Sequence, residues 1–79
     1  MENIVVKIKY CTEWNYLPLA SSLAADIKDA YGLSTELIKG RGGIFEVTVK
    51  NDVIYDKQEA GGRFPSNKEI IEKLQKFVV

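Results

Sequence analysis

The spacing of hydrophobic residues changes several times along this chain, and each change marks an element. Over residues 3–10 the period is two: Ile4, Val6, Ile8 and Tyr10 fall on one side, and Val5, Lys7 and Lys9 on the other. With β-branched residues so frequent, that run predicts a strand. Over residues 17–31 the spacing widens to three and four. Leu17, Ala20, Leu23, Ala24, Ile27 and Tyr31 then share a helix face, while Ser21, Ser22, Asp26, Lys28 and Asp29 fall mostly on the wet side. Pro18 suits a first helical turn, where its missing N–H would be unpaired anyway, and Gly32 suits the position just past the helix end. Residues 33–38 predict a short strand, broken by Gly40-Arg41-Gly42-Gly43. Residues 44–50 predict another, with Ile44 or Phe45, Val47 and Val49 turned inward. Asn51-Asp52 predicts a two-residue hairpin turn, since both types tolerate positive φ, and residues 53–57 return as its partner strand. After a loop over 58–65, Ser66 stands three residues before Glu69 in capping-box spacing, and Ile70, Ile71, Leu74, Phe77 and Val78 form a second helix face.

The order is therefore β-α-β-β-β-α. The first β-α-β unit calls for parallel strands, and the hairpin is antiparallel. Both helices need the sheet to bury their apolar faces, so the pattern predicts an α+β domain with a four-stranded mixed sheet and two helices. Lys7 and Lys9 pose a question. If their strand is central, either their stems pass a covering helix or that sheet face is partly open.

Length makes this one domain over residues 1–79, with a small core. Eleven basic residues balance eleven acidic ones, which argues against a nucleic-acid backbone as partner. No run reaches the roughly 18 apolar residues of a membrane span. Met1-Glu2-Asn3 places no positive region ahead of an apolar one, so no signal peptide is expected. A single cysteine forms no internal disulfide, which fits a reducing cytoplasm. The chain has no histidine, so His-ligated metals and His-based triads are excluded.

That single cysteine, Cys11, is the principal candidate for chemistry. It lies between the first strand and the first helix, ahead of the positive end of a helix dipole that would favour a thiolate. Glu13 opposes that ionisation. The competing reading is an inert buried cysteine, since free cysteines are among the most buried residues. On the residues alone the two are balanced.

Three segments carry a resemblance: Tyr10-Cys11-Thr12-Glu13 with Asn15-Tyr16 after it; Gly42-Gly43-Ile44-Phe45-Glu46-Val47; and Gly61-Gly62-Arg63-Phe64-Pro65 before the last helix. In this order and spacing the chain resembles the selenoprotein W (Rdx) family of small thioredoxin-like proteins over nearly its whole length. The resemblance implies a thioredoxin-like fold and thiol or selenol redox chemistry, in some members linked to glutathione. It matches Cys11 to the first sulfur of a Cys-x-x-Cys or Cys-x-x-selenocysteine motif. Trp14 stands in the second slot. A dithiol resolves its mixed disulfides internally, whereas Cys11 alone must wait for an outside thiol. Three origins for Trp14 stay open: a natural substitution, a replaced selenocysteine (UGA and UGG differ by one base), or a packing residue covering the thiol.

The remaining site expectations surround Cys11. Thr12, Glu13, Gly42, Gly43 and Phe64 border it, and the glycine N–H groups could receive an anion such as a glutathione carboxylate. Glycines, not a cis-proline, precede Ile44; Pro65 belongs to the start of the last helix. Arg41 and Arg63 are either carboxylate ligands or solvated surface residues. Tyr10, Trp14, Tyr16 and Phe64 could make an exposed aromatic rim, or belong to the core. The expected function is a small redox protein whose Cys11 forms a reversible mixed disulfide with glutathione or a partner protein's thiol. No resident cofactor or metal is expected, and enzymatic activity is left open. The alternative is a non-catalytic interaction module with a relic redox motif.

Overall fold

The computed structural model describes residues 4–78, with the order β1 (Val5–Cys11), α1 (Leu17–Tyr31), β2 (Ser34–Gly40), β3 (Phe45–Val49), β4 (Asp52–Asp56) and α2 (Asn67–Val78). The sheet runs β2-β1-β3-β4; β1 pairs in parallel with β2 and antiparallel with β3, and β4 is antiparallel to β3. This is the α+β arrangement with a four-stranded mixed sheet that the pattern predicts, and the thioredoxin-like fold that the resemblance implies. Asn3 and the Met1-Glu2-Asn3 reading lie outside the described residues.

Alternation sorts β1 as expected. Val6, Ile8 and Tyr10 are buried in the core, Ile4 packs against it, and Val5, Lys7 and Lys9 are exposed. Phe45, Val47 and Val49 of β3 face the same core as Ala20, Leu23 and Ile27 of α1 and Ile70 and Leu74 of α2. Both helices thus cover one sheet face. Asn67 Nδ2 joins them by donating to Ser22 Oγ (3.2 Å) and Asp26 Oδ2 (2.7 Å), and Tyr31 Oη donates to the Ile71 carbonyl (2.8 Å). The other face is open, so Lys7 and Lys9 need not pass a helix. There Lys7 pairs with Glu36 of β2, and Lys9 with Glu46 of β3. Opposite charges side by side suit such a wet face.

Two expectations need correcting. The hairpin turn is Lys50-Asn51, both with positive φ (51° and 70°), and Asp52 already pairs with Val49. A type I′ turn needs two adjacent left-handed residues. Ending β3 at Val49 hands one of those places to a lysine. A bulge near Val47 and Thr48 then shifts the β4 register by one residue. Second, Leu17 is 44% exposed rather than part of the buried helix face. It lies at the very start of α1, and the half-buried Tyr16 packs on the core there instead.

The helix ends follow their signals. Gly32 takes a left-handed φ of 69° and its N–H donates to the Lys28 carbonyl (2.8 Å). Ser66 Oγ accepts the Glu69 N–H at the start of α2 (3.1 Å). The Glu69 carboxylate itself turns to Arg63.

Candidate functional site

Cys11 is the last residue of β1, and its alternation places it with Val5, Lys7 and Lys9 rather than with the core residues. The thiol faces the sheet side opposite the helices, and yet the residue is 0% exposed. The strand register explains how. Cys11 pairs with Gly40 of β2, and its N–H donates to the Ile44 carbonyl (2.9 Å) just before β3. Gly40, Cys11 and Ile44 therefore form one row across three strands. A Cβ on Gly40 would lie 2.6 Å from Ile44 Cγ2. Strands two apart are separated by roughly 9–10 Å, so the Ile44 side chain leans across β1 into the space that Gly40 leaves. Sequence analysis left Ile44 and Phe45 as alternatives for the core. Phe45 takes the core, and Ile44 joins Cys11. The signal was present in the parity of the 44–50 run, but its meaning depended on which strand lay beside it.

Two loops close on this row. Residues 12–15 form a turn after Cys11, in which Asn15 adopts a left-handed φ of 56°. Tyr16 N–H donates back to the Cys11 carbonyl (3.2 Å), and Thr12 N–H to the Gly40 carbonyl (3.3 Å). Glu13 Oε1 accepts the Gly42 N–H (3.2 Å), so that N–H, read from sequence as a receptor for an external anion, is met by the chain's own carboxylate. Trp14 lies on Gly43: a Cβ there would be 2.7 Å from Trp14 Cζ3. Gly42 and Gly43 both have positive φ (70° and 76°). Cys11, Thr12, Glu13, Trp14, Gly42 and Gly43 are thus brought together, with Arg41 exposed beside them. The helix does not follow Cys11 directly, since the turn and Tyr16 intervene before Leu17.

Phe64 joins the group through aromatic edges. Trp14 meets Tyr16 with centroids 6.1 Å apart, Tyr16 meets Phe64 at 4.7 Å, and Phe64 meets Phe45 at 5.4 Å, each pair T-shaped. This geometry is favourable for ring quadrupoles and connects the loop to the core. The rim expectation is corrected: Tyr10 is buried beneath the helices, Tyr16 and Phe64 are half-buried, and Trp14 alone of the four is exposed (61%). Lys57 Nζ stands 5.7 Å from the Tyr16 ring and 5.3 Å from the Phe64 ring, a cation–π position that sequence reasoning missed.

Arg63 does make a bidentate carboxylate contact, with its own chain: Nη1 and Nη2 donate to Glu69 Oε1 (3.2 Å) and Oε2 (3.1 Å). Tyr55 Oη donates to the Arg63 carbonyl (2.6 Å), and together these bonds fix the segment that presents Phe64. The Arg63 hydrogen bond holds the Glu69 carboxyl below its ordinary range, and Glu69 holds Arg63 above its own. A carboxylate with a lowered folded-state pKa adds stability above its unfolded pKa and loses it as pH falls through the folded value. Glu69→Gln should therefore lower Tm slightly at pH 7, and the gap to the parent should close as pH falls through the lowered Glu69 value, in paired thermal melts. The difference should also shrink in high salt, because the pair is solvent-exposed.

Among the described residues no group of three or more metal-ligating side chains occurs, and no helix is long and apolar enough to cross a membrane. A cavity of about 790 Å³ lies between β4 and α2, lined by Asp52, Val53, Ile54, Lys73, Lys76 and Phe77 among others, away from Cys11.

The Rdx family model matches residues 5–76. The chain belongs to the Rdx family. Among solved structures of the same fold, a Bordetella parapertussis protein superposes with a TM-score of 0.89 at 25% identity, covering 96% of this chain and 99% of that one. A selenoprotein W-related protein from Vibrio cholerae also gives 0.89, at 20% identity over 99% of this chain and 100% of that one. Among curated proteins, migration and invasion enhancer 1 of Bos taurus is 29% identical over 72 residues, and that of Mus musculus 28%. These matches take in 90% of this chain but only 62% of the relatives' length. Family membership and fold thus agree for this Rdx chain, in which Cys11 stands at the end of β1.

Proposed function

We propose that the protein is a monothiol redox protein that carries its chemistry on Cys11. The Cys11 thiol loses its proton to solvent, and the thiolate attacks one sulfur of a disulfide. A Cys11–S–S–R bond forms, the original S–S bond breaks, and the other half leaves as a thiolate. The disulfide is oxidised glutathione or a partner protein's disulfide. With Trp14 in the second slot, an external thiol attacks the mixed disulfide and regenerates Cys11. No resident cofactor is invoked, glutathione serves as co-substrate, and the reducing cytoplasm is the compartment such chemistry fits.

The observation that carries this reading is the position of Cys11 in an Rdx chain, at the end of β1 between the 12–15 turn and the Gly42-Gly43 turn. Intact mass after incubation with oxidised glutathione should show a single glutathione adduct, absent in Cys11→Ser and removed by added thiol. A parent protein that acquires no adduct over hours, while folded, would sink it.

One observation favours the second reading, a non-catalytic interaction module. Cys11 is fully buried, whereas Trp14, Leu17 and Leu19 are 61%, 44% and 46% exposed within one short segment. Exposed apolar side chains so clustered suit a partner surface. Under that reading Cys11→Ser leaves partner binding intact and Trp14→Ala weakens it.

A further inference from the structure

We propose that Trp14 and Ile44 form an opening cover over Cys11, so that the slot of the lost second redox residue now gates the first. This rests on the monothiol reading above and adds a control step to it. A thiol with no exposed surface cannot align with a disulfide, so any reaction of Cys11 requires something to move. The core does not need to move, because Cys11 lies on the sheet face away from the helices and outside the core cluster. What covers that row is local. Ile44 leans toward Gly40, and Trp14 lies on Gly43, the residue next to Ile44.

The 12–15 turn is built to move as a unit. It is anchored at its ends, by Thr12 N–H on Gly40 O and Tyr16 N–H on Cys11 O. Between these anchors it is fastened to the glycine turn by one exposed hydrogen bond, Glu13 Oε1 with Gly42 N–H, and by one ring face of Trp14 on Gly43. Trp14 is 61% exposed, so beyond Gly43 and the edge contact with Tyr16 little apolar surface holds it down. Segments with few buried contacts and solvent-exposed hydrogen bonds open locally without global unfolding. A second cysteine at position 14 would present its sulfur beside this row. The indole instead fills the approach, and Gly43, without a side chain, is what makes room for it.

The test is the rate of Cys11 alkylation by iodoacetamide, a small neutral reagent that needs no redox partner, over a series of low urea concentrations. The parent should react slowly, at a rate nearly independent of urea, as local opening requires. Trp14→Ala should react at least about tenfold faster, still independent of urea, with its thermal melt close to the parent. Glu13→Gln, which weakens the fastening bond without touching the ring, should react faster by a smaller factor. The inference is overturned if Trp14→Ala is folded and reacts at the parental rate. It is equally overturned if the parental rate climbs with urea in step with global unfolding, since the cover would then be the whole fold. Fast alkylation of Trp14→Ala without any adduct from oxidised glutathione would support the cover while sinking the redox reading.

Discussion

Phe45→Ala is expected to cost about 3–5 kcal/mol, the range for deleting a fully buried phenylalanine. Phe45 is 2% exposed, sits on β3 beneath both helices, and meets Phe64 in a T-shaped pair. A domain of this length has a total stability of only roughly 4–12 kcal/mol, at about 0.05–0.15 kcal/mol per residue. The variant should therefore lose a quarter of its stability at least, and Tm should fall by roughly 12 °C or more. Phe45→Leu keeps most of the volume and should cost only about 1–2 kcal/mol. Thermal melts by circular dichroism give both values. Trp14 fluorescence adds a second reading, because Phe64 and Tyr16 link Phe45 to the indole. If the two Phe45 variants melt alike, the ring is not packed as described.

Gly43→Ala is expected to cost about 2 kcal/mol, from two sources that a neighbouring glycine separates. The first is conformational: an L side chain at φ 76° is strained, by about 1 kcal/mol or somewhat more. The second is steric, because the new methyl would sit 2.7 Å from Trp14 Cζ3. Trp14 is exposed enough to swing aside, which limits the steric cost but shifts the ring. Gly42→Ala meets the same strain at φ 70° and nothing within 4 Å, so it should lose only the first part. Gly43→Ala should thus melt lower than Gly42→Ala, and only Gly43→Ala should change the Trp14 emission. Equal melts and unchanged emission in both would mean that the indole does not rest on Gly43. Since Gly43→Ala displaces the ring, it should also speed Cys11 alkylation, in the same direction as Trp14→Ala.

Much of the fold was legible because it is written in local periods. The switch from a period of two to one of three and four marks β1 and α1, and the helix bounds at Leu17 and Tyr31 match the structure. Gly32 and Ser66 cap where their chemistry says they should. The site was half legible. Cys11, Trp14 and the glycine turn come together, but Tyr10 does not belong to a rim, and Glu13 meets Gly42 N–H. The hairpin was misplaced by one residue because Asn51 and Asp52 tolerate positive φ better than Lys50 does. Pairing of Val49 with Asp52 overrides that preference, since strand register is fixed by the whole ladder and not by the turn alone.

The sequence by itself determined which residues alternate, which share a helix face, where helices stop, and that the chain carries a single thiol. These properties depend on neighbours a few positions away. Only the tertiary structure decided that both helices lie on one side of the sheet, leaving Lys7 and Lys9 in water, and that Arg63 spends its guanidinium on Glu69. It also decided the state of Cys11. Alternation alone sends that thiol to the wet face with Lys7 and Lys9. It is nevertheless buried, and Gly40 and Ile44, which lie far from it in the chain, stand beside it only because of how three strands are registered. A side chain's face is a local property, but what covers that face depends also on residues the local sequence does not contain.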